Sequence, residues 1–397
     1  MANLLILTPR FPYPIVAGDA LRIHHICKEL SREHSLTLLS MCETEEKMNQ
    51  GAPPGIFERI ERVYRPTWRA ILGTLRAVFS GRPLQLGYYN SSKFRRRVKD
   101  LLPLNDLAVA HLVRTGQYLE DCGAVPTVLE MTDALSLNYQ RVIEMNSWGW
   151  KNLVYRFEKP RIESYERKVT QSFDLVSLVS SVDRDSLLPD QKDAEHVSVY
   201  PNGIDLTSRP YTAPNPTDPP ILAFIGNMRT VHNRDTCQYF AEKILPRIRE
   251  RIPGTTFRII GSAEKQEINS LEQYEGVEVT GWVDSIPEAT RGALCGIGVM
   301  RLGAGLQNKV LEYMALGLPV IANRRGLEGI NARPSEHVLM GEEPHEIVEH
   351  IVHLHADADL RKEVAQNGRN YVEENHRWEM ALQPLMQDVN QLLEREG

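Results

Sequence analysis

The stretch Arg301–Asn323, RLGAGLQNKVLEYMALGLPVIAN, leaves the chain few ways to fold. Gly303-Ala304-Gly305 is a flexible lead-in. The spacing of Leu306, Val310, Leu311 and Met314 predicts a helix over 306–316. Gly317 is expected to end that helix in a left-handed conformation, and Pro319 to open a strand, Val320-Ile321-Ala322. At about 100° per residue, Gly305, Asn308, Lys309 and Glu312 share one helical face. The first turn, at Leu306, Gln307 and Asn308, presents unpaired N–H groups and about half a positive charge, which suits a diphosphate. Gly305 lets a ligand approach the backbone. Glu312, one turn inward, can accept hydrogen bonds from a sugar diol. Lys309 either supplies a cation to the diphosphate or pairs with Glu312. The bland alternative is an ordinary helix–strand unit with its polar residues in solvent.

The same alternation runs through the chain. Asn3–Thr8 is a buried-strand pattern, followed by a Pro-rich loop ending Ala17-Gly18-Asp19 and by helical spacing of Leu21, Ile23, Ile26, Cys27 and Leu30. Further strands are predicted at 36–40, 62–64, 107–112, 126–132, 175–180 and 197–200. A second series is predicted at 221–226, 257–261, 277–281, 297–300 and 318–322. Strands alternating with helices imply an α/β fold with mostly parallel sheets. The Pro-, Thr- and Asn-rich segment 207–220 reads as a linker between two Rossmann-like series. In such sheets ligands bind at the carboxyl ends of strands. That rule singles out His111, Arg114 and Asp133 in the first series. In the second it singles out Gly226-Asn227, Gly261, and Trp282-Val283. Each has a plainer reading: Gly18 as a turn residue, His111 as structural, Asp133 as a helix N-cap, Trp282 as a core aromatic. GxGxxG is absent, which counts against NAD or FAD as a cofactor.

A chain of 397 residues allows two domains, and 42% hydrophobic with 25% charged residues is an ordinary globular balance. A net charge of −6 counts against nucleic acid as a partner. The five cysteines are scattered without metal-ligand spacing, so a cytoplasmic protein with reduced thiols and no metal is expected. Leu4–Leu7 is too short for a secretory signal, and nothing approaches the roughly 20 apolar residues that span a bilayer. Two basic stretches, Tyr64–Arg69 and Lys93–Lys99, stand out. In the second, Phe94, Val98, Leu101 and Leu102 form an apolar stripe, so it reads either as a helix lying on an anionic membrane or as a packed helix with a solvated basic face.

The run NKVLEYMALGLPVIAN resembles the donor-site signature of retaining GT-B glycosyltransferases of family 4, in particular the bacterial branch that builds exopolysaccharides. FPYPIVAGDALRIHHICKEL, SGRPLQLGYYNSSKF and VYPNGID are similar to other parts of that branch. The resemblance implies an α/β GT-B fold, two Rossmann-like domains facing a central cleft. It divides the chain into an acceptor-side domain at 1–206, the linker 207–220, a donor domain at 221–370, and helices at 371–397 that cross back to the first domain. It implies transfer of a sugar from a nucleoside diphosphate, UDP or GDP, to a glycan, lipid-linked or small-molecule acceptor. Configuration would be retained without a dissociable metal, a donor phosphate oxygen taking the acceptor's proton.

The same resemblance places His111 against the donor sugar and matches Asp133 and Ser136 to a strand-end D-x-x-S pattern. Gly18 and Asp19 would lie near the donor phosphates, and Trp282 and Val283 beside the base. Two positions depart from it. Ala304 stands where many members carry a first glutamate, eight residues before Glu312. Asn227 and His232 stand where an Arg and a Lys usually clamp the diphosphate; Lys309, Arg229, Arg234 and Arg301 are the candidate replacements. Two rivals remain: a nucleotide-sugar epimerase of the same fold, and a non-catalytic partner subunit.

Overall fold

The continuous apolar runs become parallel strands buried on both faces. The computed structural model describes residues 1–16, 18–120, 122–144, 150–188, 195–303 and 305–395. Ala17 and Ala304 therefore lie outside the described residues. The chain divides into two compact units, one formed by residues 1–201 with 382–397, the other by 202–381.

In the first unit the strands are β1 (Asn3–Thr8), β2 (Ser35–Cys42), β3 (Arg59–Tyr64), β4 (Leu107–His111), β5 (Thr127–Thr132), β6 (Leu175–Leu178) and β7 (Val197–Val199). Among the described residues they form one parallel sheet in the order β3-β2-β1-β4-β5-β6-β7. Leu4 to Leu7 are fully buried at its centre. Phe94, Val98 and Leu101, on the helix Ser92–Leu101, pack into the same core. The apolar stripe read from that helix is thus not a lipid face. Its periodicity is equally served by burial against a sheet.

The second unit contains β8 (Ile221–Ile225), β9 (Thr256–Ile260), β10 (Val277–Gly281), β11 (Ala293–Gly298), β12 (Val320–Ala322) and β13 (Leu339–Met340). Their order is β10-β9-β8-β11-β12-β13, again parallel. β13, two residues long, has no sequence signal. β11 lies earlier than the predicted 297–300, because Val299 and Met300 already belong to the following loop. The segment 207–220 has no regular structure and is held to this unit, Thr212 N donating to Leu316 O at 3.1 Å and Thr217 N to Gly292 O at 2.9 Å.

Each unit therefore has a point where the strand order reverses, between β1 and β4 and between β8 and β11. Loops leaving adjacent strands part there and open a crevice at the carboxyl ends.

Candidate functional site

In the second unit the loops after β8 and β11 each lead into a helix. These are Val231–Tyr239 and Asn308–Leu316. The latter starts two residues later than predicted, with Gln307 in an extended conformation before it. The delay follows from the loop, where Gly303 and Gly305 both take positive φ, 109° and 73°. Gly317 ends the helix in the left-handed region at φ 78°, as its sequence context requires. Among the described residues neither helix has a side-chain cap, and although Val310 N donates to Gln307 O at 3.0 Å, the N–H groups of Asn308 and Lys309 and of Val231 to Asn233 remain available to an anion.

The two helix ends meet. Lys309 Nζ donates to Asn233 Oδ1 at 2.7 Å, contacts Met300 Sδ at 3.5 Å and lies 4.5 Å from the centroid of Phe224. A Cβ on Gly303 would stand 3.5 Å from Gln307 Nε2 and 4.0 Å from His232. Lys309 is only 8% exposed, and burial pushes its pKa down to about 8. Among the described residues no carboxylate pairs with it. His232, also desolvated and beside Lys309, is held down to about 4 and is neutral at physiological pH.

The predicted face of this helix divides. Lys309 turns to the loop after β8. Asn308 accepts a hydrogen bond from Asn202 at 2.9 Å, and Glu312 is paired with Arg209 at 3.2 Å. The Lys309–Glu312 pair read from their spacing is therefore not what the fold builds. Arg209, which sequence reasoning missed, lies 103 residues from its partner, and no local pattern announces it. Leu306 is buried. Arg229 forms an exposed ion pair with Glu264 at 3.1 Å. Arg301 lies 3.7 Å from Asp235 and stacks over Tyr239. Asn227 organises its own turn, its Oδ1 accepting from Arg229 N at 3.0 Å and its carbonyl from Asn233. Gly261 has φ 138°, and a Cβ there would collide with the carbonyl of Gly226. Both glycines thus serve the close packing of two loops. Trp282, at the end of β10, is 67% exposed and so is no core aromatic; Val283 beside it is half-buried.

In the first unit a cavity of about 150 Å³ is lined by the loop Pro9–Pro14, Asp19, Ile23, Lys47 and His111. Gly18 and Asp19 open the helix Gly18–Leu30, and Arg10 pairs with Asp19 at 2.8 Å. Burial opposes the charge on Asp19, but Arg10, His111 and Arg114 outweigh it and hold its pKa low. His111, at the end of β4, is 2% exposed, and neither ring nitrogen has a hydrogen-bond partner among the described residues. Burial lowers its pKa to about 4, so the ring is neutral, with one N–H donor and one acceptor unused. Beneath it lies a buried ion pair. Arg22 donates to both oxygens of Glu130, at 2.7 and 3.0 Å, and Ser177 hydrogen-bonds the same carboxylate.

Asp133 follows Thr132, whose φ is 69°; Leu112, after His111, has φ 64°. Non-glycine residues avoid this region, and the two strained positions flank the candidate side chains. Asp133 does not cap the following helix. Asp183 accepts from Ala134 N at 3.0 Å, while Glu166 accepts from Leu135 N at 2.7 Å and Ser136 N at 3.1 Å. Burial and the neighbouring Asp183 raise the Asp133 pKa to about 7, leaving a proton-exchanging carboxyl beside Arg114.

Comparison with known proteins agrees with this organisation. Residues 219–357 match the family model described as Glycosyl transferases group 1, so the second unit carries a domain of that kind. Glycosyltransferase 1 domain-containing protein 1 of Xenopus tropicalis is 28% identical over 153 residues, 36% of this chain and 43% of that protein. The chain thus matches less than half the length of this relative. Among solved structures, HepE of Anabaena in complex with UDP and glucose superposes with a TM-score of 0.67 at 15% identity, covering 97% of this chain and 99% of that one. Sucrose-phosphate synthase of Thermosynechococcus elongatus gives 0.70 at 14% identity, covering 99% and 100%. The fold is that of GT-B glycosyltransferases: two Rossmann-like domains, each with a parallel sheet.

Proposed function

We propose that this protein is a glycosyltransferase that takes its sugar from a nucleoside diphosphate and retains the anomeric configuration. The observation that carries the reading is the junction of two uncapped helix N-termini over Lys309. Among the described residues this buried ammonium is held by an amide oxygen, a thioether and an aromatic face and by no carboxylate, so it lacks the counter-charge that such a site normally needs. A diphosphate supplies it.

In the reaction we infer, the bond between the sugar's anomeric carbon and the diphosphate oxygen breaks. The acceptor hydroxyl forms a new bond on the same face, and its proton passes to an oxygen of the departing diphosphate. Lys309 and the two helix ends stabilise the charge that develops on that leaving group, without a dissociable metal. We assign Glu312 to the ribose or sugar hydroxyls, Trp282 and Val283 to the base, and His111 to the donor sugar. The neutral, unpartnered ring of His111 suits a hydroxyl group, which is both donor and acceptor. Asp133 and Asp19 border the same strand ends. HepE holds UDP and glucose on this fold, which makes UDP-sugars the first donors to try. The acceptor class we propose is a glycan, a lipid-linked saccharide or a small molecule of bacterial polysaccharide synthesis.

A thermal-shift series with UDP, GDP, ADP and their sugars tests the donor. A ligand at a hundred times its dissociation constant stabilises by about 2.7 kcal/mol. Release of nucleoside diphosphate with the sugar attached to an acceptor supports transfer. Isomerised sugar-nucleotide without release points to an epimerase, and no shift with any donor points to a non-catalytic subunit.

A further inference from the structure

The first unit carries a second cavity, far larger than the one at His111. It is a groove of about 750 Å³ between the helices Thr67–Ser80 and Ser92–Leu101. Arg65, Arg69 and Arg76 line one side of it. Lys93, Arg95, Arg96 and Lys99 line the other, and among the described residues no carboxylate contributes to the wall. None of these seven side chains forms an ion pair among the described residues. Arg97, from the same basic run, points elsewhere and is bound by Glu61 at 2.6 Å. Arg65 is 3% exposed, and its Nη2 has no hydrogen-bond partner among the described residues. Its guanidinium lies over Tyr88, and Nη2 stands 3.9 Å from where a Cβ on Gly73, in the groove wall, would be. Like charges gathered in a concave wall repel one another, and Arg65, desolvated with Nε donating to Asn90 O at 3.4 Å but Nη2 unused among the described residues, adds to that cost. An anion with several oxygens removes both.

The helix beside the groove identifies the source of that anion. Its inner face is Ala70, Gly73 and Ala77, where a Cβ on Gly73 would collide with the backbone of Gly87. Small residues there let the two backbones touch. The opposite face is large and apolar: Trp68, Ile71, Leu72, Leu75 and Phe79, the last 90% exposed. These follow helical spacing, and Arg69 and Arg76 run along one border of the stripe, about 90° around the axis. A Trp/Phe/Leu stripe edged with arginine and lying in the plane of a surface is the pattern of an interfacial helix. No described helix is long and apolar enough to cross a membrane.

We infer that the groove is a docking site for phosphate-bearing headgroups of an anionic membrane, with the Thr67–Ser80 helix seated in the headgroup region. The cations contact phosphate oxygens while the apolar stripe enters the acyl boundary. Free phosphates satisfy the groove but leave the stripe in water, so the stripe favours a membrane. This inference stands apart from the donor reading, because a chain that bound no nucleotide would dock equally well.

The test is sedimentation of the full chain with vesicles of phosphatidylcholine alone or with equal parts phosphatidylglycerol. Wild type should pellet with the anionic vesicles and be released by high salt. The exposed double variant Arg69→Glu/Arg96→Glu should bind at least tenfold less, and Leu75→Ser/Phe79→Ser should also lose binding. Melting temperature and UDP-induced shift, read in both variants, should match wild type. Equal recovery with neutral and anionic vesicles, or no effect of charge reversal, would overturn the inference. So would a protein that stays in the supernatant yet is stabilised by inorganic diphosphate, since the groove would then serve a soluble ligand.

Discussion

The two strand-order reversals treat charge in opposite ways. Beside His111 two charges are answered: Arg22 by Glu130 and Ser177, Asp19 by Arg10. The imidazole above them is neutral and unpartnered. Around Lys309 no carboxylate pairs with the ammonium among the described residues, and two helix ends add to the positive potential. The first arrangement suits hydroxyl groups and the second an anion. The difference teaches that fold symmetry between two Rossmann-like units does not extend to chemistry, because which side chains close a crevice is decided separately in each.

The contrast is sharpest in stability. Glu130→Gln should be the most damaging change, leaving Arg22 charged and buried without a counter-ion, at about 3–5 kcal/mol. Chemical denaturation measures it; a loss under 1 kcal/mol, roughly the value of an exposed pair, would mean that the first unit is not built on this compensation. In the second unit, Glu312→Gln should lower donor affinity or rate tenfold or more, since charge-assisted hydrogen bonds contribute roughly 1.5–3 kcal/mol. Because Arg209 already holds this carboxylate, the variant also asks whether the pair orients Glu312 or merely neutralises it. Wild-type kinetics would remove Glu312 from the site.

How the charge on Lys309 arises also predicts a pH dependence. Burial lowers its folded pKa to about 8 from an ordinary 10.5. Above about pH 8 the free protein loses the cation, so affinity for a nucleoside diphosphate should fall by up to about tenfold per pH unit. The sign is opposite for stability. Between about pH 8 and 10.5 the unfolded chain binds the extra proton, so this group's burial penalty is relieved as pH rises. Titration calorimetry across that range reads the first effect; an affinity flat to pH 9.5 would separate Lys309 from the ligand. The smallest effect expected is at His111. His111→Ala discards no hydrogen bond of the free protein and should melt close to wild type, while transfer falls by up to about tenfold through one lost neutral hydrogen bond of about 0.5–1.5 kcal/mol. A large fall in melting temperature with specific activity preserved would make this histidine structural.

What the sequence disclosed follows the reach of its signals. β1, β10 and β12 were legible to the residue: β1 and β12 are continuous apolar runs buried in their sheets, and β10, a partly buried edge strand, is set off by Gly276 before it and Gly281 at its end. Gly317 and Pro319 marked the end of one helix, whereas its start was misread by two residues because Leu306 is apolar without being helical. Side-chain partners were hidden wherever the chain closes long loops. Glu312 meets Arg209, Lys309 meets Asn233 76 residues away, and Asp183 and Glu166 replace Asp133 as caps. The basic groove was visible as two separate stretches, but periodicity left open whether Phe94 and Val98 face lipid or pack inward, and they are core residues. Periodicity reports that a face is apolar and not what covers it.

Binding of UDP and of uridine to wild type and to Lys309→Met goes most directly to the role of the unanswered cation. Methionine keeps much of the aliphatic stem, and removing a buried, unpaired charge should leave the melting temperature unchanged or higher. UDP affinity should fall at least tenfold, the loss of a charge-assisted hydrogen bond of roughly 1.5–3 kcal/mol, with uridine affinity unaltered. Equal losses for both ligands would mean that the substitution disrupts the helix. No loss for either would contradict the assignment and move the diphosphate to Arg229 or Arg301.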